Sequence, residues 1–244
     1  MNGIIIVNKP QGWTSFDVVA KIRNLTRVKK VGHSGTLDPM ATGVLPVFLG
    51  KATKSIQYFM TGDKGYEGEM TLGVRTDTGD AEGKILNPKS ETLNKSEIRI
   101  SKEEIEKAFA KFTGEIEQVP PMHSAVKVNG TRLYELARQG IEIKRQARKV
   151  TIYDLRLTDR QENRLAFSAI CSKGTYIRQL AVDIGDELGC GAHLSKLSRF
   201  YAHPFHISQA LDMDIIVTMA KADILSSVII EPEEILDEMK EVAA

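Results

Sequence analysis

The run Gly3-Ile4-Ile5-Ile6-Val7 is apolar without alternation, the pattern of a buried strand, and Lys9-Pro10-Gln11-Gly12 ends it as a turn. Thr14 or Ser15 then caps a helix in which Val18, Ile22 and Leu25 keep helical spacing. Residues 31–43 are glycine-rich and have the punctuation of a loop. Residues 44–49 are apolar enough for a strand, and residues 52–60 place Ile56, Phe59 and Met60 on one side of a helix. Tyr66, Gly68, Met70 and Leu72 alternate with Glu67, Glu69 and Thr71, the period of a half-exposed strand. A polar loop over 75–83 and a connector of low apolar content over 84–100 follow. Ser101 and Glu104 form a capping box for a helix bearing Ile105, Phe109 and Phe112 and ending near Gly114.

Residues 119–146 are irregular and basic, whereas 150–157 and 165–171 are strand-like. A helix over 176–188 has the buried stripe Ile177, Leu180, Ala181, Ile184 and Leu188, closed by Gly189. Residues 219–228 and 232–242 are helix-like and acidic. Some neighbouring strands are joined too briefly for parallel crossovers, so the pattern predicts an α+β fold. Its core is a mixed, largely antiparallel central sheet flanked by helices and loops, from which 119–146 projects. One domain over 1–210 and an acidic extension over 211–244 are expected.

Composition adds less than charge distribution. The formal net charge of +1 conceals two basic stretches. Residues 21–30 hold five bases and no acid, and residues 127–149 hold seven bases against two acids, while residues 212–244 hold nine acids against two bases. Such asymmetry points to a polyanionic partner. No apolar run reaches the roughly 20 residues of a membrane helix, and the N-terminal residues lack the pattern of a signal peptide. Two cysteines, Cys171 and Cys190, suit a reducing compartment, so a cytoplasmic protein is expected. Cys190, His193, His203 and His206 have the residue types of a zinc site, with Cys190 in Gly189-Cys190-Gly191 beside the helix over 176–188.

The densest chemical signal is Gly32-His33-Ser34-Gly35-Thr36-Leu37-Asp38-Pro39-Met40-Ala41-Thr42-Gly43. Glycine allows close backbone approach to a ligand, and Pro39 restricts Asp38. An ordinary loop aspartate and a structural histidine would also satisfy the pattern. No lysine follows as a phosphate-binding loop requires.

This segment resembles the catalytic-aspartate motif of the TruB family of tRNA pseudouridine synthases, with Ser34 where the family has threonine. Four further segments resemble that family's motifs in the same order: Asn8-Lys9-Pro10-Gln11-Gly12-Trp13-Thr14-Ser15; Lys64-Gly65-Tyr66 with Arg75-Thr76-Asp77-Thr78-Gly79-Asp80; Gln118-Val119-Pro120-Pro121-Met122-His123-Ser124-Ala125; and Ser172-Lys173-Gly174-Thr175-Tyr176-Ile177-Arg178. The resemblance implies a pseudouridine synthase fold and isomerisation of uridine 55 in the T-loop of tRNA, with neither cofactor nor metal. It implies Asp38, Tyr66 and Arg178 as catalytic residues, Arg178 holding the Asp38 carboxylate. His33 would fill the space of a flipped-out nucleotide. Tyr176, Leu197 and Lys9, with Lys127, Arg132, Tyr134 and Arg138 of a thumb loop over 119–146, would bind the T-stem and T-loop. A monomer is expected. The family's usual C-terminal PUA domain finds no complete counterpart in 211–244. A guide-RNA-dependent synthase and a tRNA-folding chaperone are the competing readings.

Overall fold

The computed structural model describes residues 1–86, 100–128, 130–233 and 235–236. In chain order, β1 (Gly3–Lys9) leads to α1 (Ser15–Thr26), β2 (Val31–His33), β3 (Thr42–Leu49) and the short α2 (Ile56–Phe59) after a 3-10 segment. Next come β4 (Lys64–Leu72), α3 (Lys102–Lys111) and β5 (Gly114–Gln118). The basic region contains β6 (Lys127–Val128), β7 (Thr131–Arg132) and α4 (Leu133–Arg138). After it run β8 (Arg148–Gln161), β9 (Arg164–Cys171) and α5 (Ile177–Glu187). The chain continues through β10 (Ala192–Ala202), β11 (Phe205–His206), β12 (Leu211–Asp212) and α6 (Met213–Lys221). These elements form two compact units, Met1–Tyr66 with Leu197–Ala244, and Glu67–Lys196. The expected connector lies mostly at 87–99, and the end of the second acidic helix at 237–244, both outside the described residues.

In the first unit β1 pairs antiparallel with β3 and parallel with β12, β2 pairs antiparallel with β3, and β10 pairs parallel with β3 through Ser198–Thr42 and Arg199–Gly43. The unbroken apolar run of β1 has a direct cause. Ile5 and Val7 enter one core with Val18, Ile22, Leu45 and Met213, while Ile4 and Ile6 enter a second with Phe48, Phe59 and Phe205. Each such buried side chain contributes about 1.5–3 kcal/mol relative to exposure. Helix α1 starts as its sequence dictates: the Thr14 hydroxyl accepts from the Asp17 amide while the Asp17 carboxylate accepts from the Thr14 amide.

In the second unit the strand order is β4–β9–β8–β5, with β9 antiparallel to β8 and β8 antiparallel to β5. Strand β9 buries Leu165, Phe167, Ala169 and Cys171 at alternate positions. Helix α3 opens on the Ser101–Glu104 capping box and buries Ile105 and Phe109, and α5 buries Ile177, Leu180, Ala181 and Ile184.

Several elements differ from the sequence reading: β5, β6, β7 and α4 fall where no strand or helix is expected. Residues 31–33, inside the expected loop, pair with β3. Helix α6 begins at Met213, earlier than the expected 219–228, and ends before Asp223, whose φ of 57° is left-handed. Strand β10 was not evident, because its buried positions slip phase between Leu194 and Leu197 and one of them is Arg199.

Candidate active site

The segment after β2 is a turn fastened on all sides within its own unit. Asp38 and Ala41 close it, the Ala41 amide donating to the Asp38 carbonyl at 3.1 Å with Pro39 at the position whose φ proline presets. Lys9 is fully buried. Its ammonium donates to the carbonyls of Trp13 (2.6 Å), Pro10 (2.9 Å) and Pro39 (3.3 Å). The Ser15 hydroxyl, also buried, accepts from the Leu37 amide at 2.8 Å and donates to the Leu37 carbonyl at 3.2 Å. Gly12 donates to the Pro39 carbonyl at 2.8 Å. Leu37, Met40 and Ala41 turn inward while Asp38 stays half-buried. Lys9 thus stands inside the scaffold of the turn, where the sequence reading had it meeting RNA.

Across the turn, the buried Arg199 donates from Nε to the Val44 carbonyl at 2.8 Å and from Nη2 to the Gly35 carbonyl at 3.1 Å. Gly43 is required opposite it: φ is 103°, and a Cβ there would lie 2.2 Å from the Arg199 carbonyl oxygen. The Gly35 amide donates to His33 Nδ1 at 3.2 Å. That bond needs an unprotonated Nδ1, as in the neutral ring. Burial, reinforced by the Arg199 cation, likewise pushes the His33 pKa below its ordinary value. Tyr66 and Leu197 are buried in this unit, each 8% exposed.

The depressed His33 pKa makes stability depend on pH. In the unfolded chain the imidazole titrates near its ordinary 6.5, so below that pH the unfolded state binds more protons than the folded one. Stability is full above about 6.5 and falls as pH drops from there through the lower folded value. Thermal melts at about pH 7.5 and 5.5 should show a larger loss for the parent than for His33→Gln. Equal losses would assign the dependence to other groups.

In the second unit Arg178, on the first turn of α5, is 5% exposed. It donates to the carbonyls of His123 (2.7 Å) and Thr78 (3.0 Å), and Nη1 lies 3.5 Å from the Asp80 carboxylate. Asp80 is equally buried and accepts from the Thr78 hydroxyl (2.6 Å) and the Glu82 amide (3.1 Å). Gln118 receives the Tyr176 amide at 2.8 Å and donates to the Tyr176 carbonyl at 3.1 Å, which fixes the start of α5. Arg178 lines a cleft of about 420 Å³ with Thr78, Gly79, Pro121, His123 and Arg145.

In the basic region Tyr134 stands between two guanidinium groups, 5.9 Å from Arg132 and 5.3 Å from Arg138, and its hydroxyl accepts from Arg132 at 3.0 Å. Leu133 is the fully buried residue that ties α4 down, while Lys127, Arg132 and Arg138 are exposed. Among the described residues no group of histidine, cysteine and carboxylate side chains could hold a metal ion, and no helix is long and apolar enough to cross a membrane.

Comparison with known proteins identifies the class. A chain in a crystal structure of a Cbf5–Nop10–Gar1 complex superposes with a TM-score of 0.72 at 30% identity, covering 94% of this chain and 60% of that one. Another, in an H/ACA RNP bound to a substrate RNA containing 2′-deoxyuridine, gives 0.66 at 28% identity over 91% and 55% of the two chains. The fold is that of the pseudouridine synthases, a mixed and mostly antiparallel sheet flanked by helices. Residues 23–177 match the N-terminal domain of the TruB family pseudouridylate synthases, and residues 178–237 the C-terminal domain of tRNA pseudouridylate synthase B. The tRNA pseudouridine synthase B of Geobacillus thermodenitrificans (strain NG80-2) is 46% identical, covering 97% of this chain and 78% of its own length. That of Clostridium kluyveri is 49% identical over 88% of this chain and 72% of its own. The chain belongs to the TruB family and is an isomerase that makes pseudouridine.

Proposed function

We infer that the enzyme isomerises uridine 55 in the T-loop of tRNA. The observation that carries this reading is the Asp38 turn, a half-buried carboxylate on a backbone held by Lys9, Ser15 and Gly12. Isomerisation breaks the ribose C1′–N1 bond, turns the base and joins C1′ to C5, with the C5 proton lost and N1 gaining a proton. No electrons are gained or lost, so the residues must supply positioning and charge. Asp38 attacks C1′ as a nucleophile or removes a sugar proton; either role needs its carboxylate ionised and fixed in place. Arg178 is assigned as the cationic partner of that carboxylate, and Tyr66 as the group beside the base and its departing C5 proton.

The target nucleotide must leave the T-loop stack, at a cost of a few kcal/mol. A neutral, half-buried His33 fills the vacated space, and Leu197 packs on the base. Residues 1–210 carry the catalysis in this reading, with 119–146 closing on the RNA and 211–244 extending the domain. Relatives named tRNA pseudouridine synthase B at 46–49% identity support a stand-alone enzyme over a guide-dependent one, since the Cbf5 and H/ACA chains are only 28–30% identical. A cytoplasmic monomer fits the same reading.

The test is a pseudouridine map of unmodified tRNA transcript after incubation with the purified chain. Product at the T-loop position alone supports the reading; product elsewhere or none overturns it. The basic region gives a second test. Lys127→Gln with Arg138→Gln should weaken tRNA binding and lower the slope of log K against log salt by roughly two, about one per phosphate contact removed. An unchanged slope would take these residues out of the RNA interface.

A further inference from the structure

We propose that Arg199 is a positioning residue for Asp38, its buried guanidinium clamping the two sides of the catalytic turn; this rests on the assignment of Asp38 above. The clamp joins carbonyls on either side of Asp38, Gly35 before it and Val44 after it. The parallel register of β10 on β3 sets Arg199 opposite Gly43, and the missing side chain there lets the two backbones close. Lys9, Ser15 and Gly12 hold the turn from the other side, at Leu37 and Pro39. Asp38 therefore lies between two sets of ties, and Arg199 supplies the one on the His33 side.

A cation is an expensive way to build such a tie. Arg199 is 2% exposed, and among the described residues no carboxylate is ion-paired with it. A buried charge without a counter-ion is costly unless its donors are well placed. A methionine of similar length would avoid that cost and still fill the space, so the side chain is explained by what its donors hold. The guanidinium supplies several donors in a rigid fork, which suits two carbonyls in fixed relation. Its charge also bears on His33, two residues before Gly35, and helps keep that ring neutral.

A positioning role separates turnover from binding. A misplacement of about 1 Å at a reacting group costs about 10²-fold in rate, while RNA affinity comes mainly from phosphate contacts elsewhere. Arg199→Met is therefore expected to lower kcat on tRNA transcript by about 10²-fold with little change in KM. Arg199→Lys, which keeps the charge and one donor direction, should recover a clear part of that loss. A folded Arg199→Met protein with parental kcat overturns the proposal, and so does Arg199→Lys no better than Arg199→Met.

Should Arg199→Met fail to fold, amide exchange in free Arg199→Lys reports on the same clamp. The Ser34, Gly35, Leu37 and Ala41 amides are all hydrogen-bonded, to the Pro46 carbonyl, His33 Nδ1, the Ser15 hydroxyl and the Asp38 carbonyl respectively. They should exchange faster than in the parent while the amides of α5 are unchanged; unchanged exchange in the turn counts against the clamp. Because this readout needs no substrate, it stands even if the parent proves inactive on tRNA, an outcome that overturns the functional assignment instead.

Discussion

Asp38→Asn is expected to abolish pseudouridine formation, lowering turnover by more than about 10⁴-fold, the scale on which enzymes lose rate with the group that makes or breaks the bond. The substitution is nearly isosteric and leaves the tie from the Ala41 amide to the residue-38 carbonyl in place. The Lys9, Ser15 and Gly12 bonds fall on neighbouring residues and are also untouched. The fold and tRNA affinity should therefore be retained while product disappears. A neutral amide is a poor nucleophile at C1′ and a poor base toward a sugar proton, so both chemical routes predict the same loss. Full activity in Asp38→Asn would remove the carboxylate from the centre of the mechanism. The variant also tests the binding alternative: if the useful act were folding tRNA, that activity would survive Asp38→Asn while isomerisation vanished.

What the sequence reveals and what it hides divides along contact distance. The caps of α1 and α3 were legible because Thr14–Asp17 and Ser101–Glu104 are three-residue patterns that form the same bonds in almost any context. The two-faced burial of β1 was legible in its unbroken apolar run. The Asp38 turn was legible through its glycines and Pro39, but its fastening was not. Ser15 lies 22 residues from Leu37, Lys9 lies 30 from Pro39, and Arg199 lies 164 from Gly35. No local pattern announces such bonds, and the resemblance that set Lys9 against RNA gave no sign that the fold buries it. Strand β10 was hidden for a related reason. Period-two alternation identifies a strand only when buried positions are apolar and in phase, and here Leu194 to Leu197 breaks the phase while Arg199 takes a core position. Asp80 and Gln118 escaped likewise: each stands in a motif segment, but only the fold shows Asp80 beside Arg178 and Gln118 on the backbone of Tyr176.

Arg178→Met should damage stability and catalysis together, and Asp80 lets the two effects be separated. The guanidinium and the Asp80 carboxylate are each 6% exposed at the side chain, so removing the cation leaves a buried carboxylate without its counter-ion. Breaking one side of a buried pair costs about 3–5 kcal/mol, and in a protein of this size that corresponds to a fall in Tm on the order of 10 °C. The His123 and Thr78 carbonyls lose their donors as well. Turnover should fall by about 10³-fold if Arg178 also stabilises charge at the reacting centre. Adding Asp80→Asn removes the stranded charge, and replacing both partners of a buried pair is far less costly than removing one. The double variant should therefore recover much of the Tm but none of the activity. If activity returned with stability, Arg178 would be a purely structural member of the Asp80 network. If neither returned, the Thr78 and His123 carbonyls, rather than Asp80, would be what Arg178 chiefly satisfies.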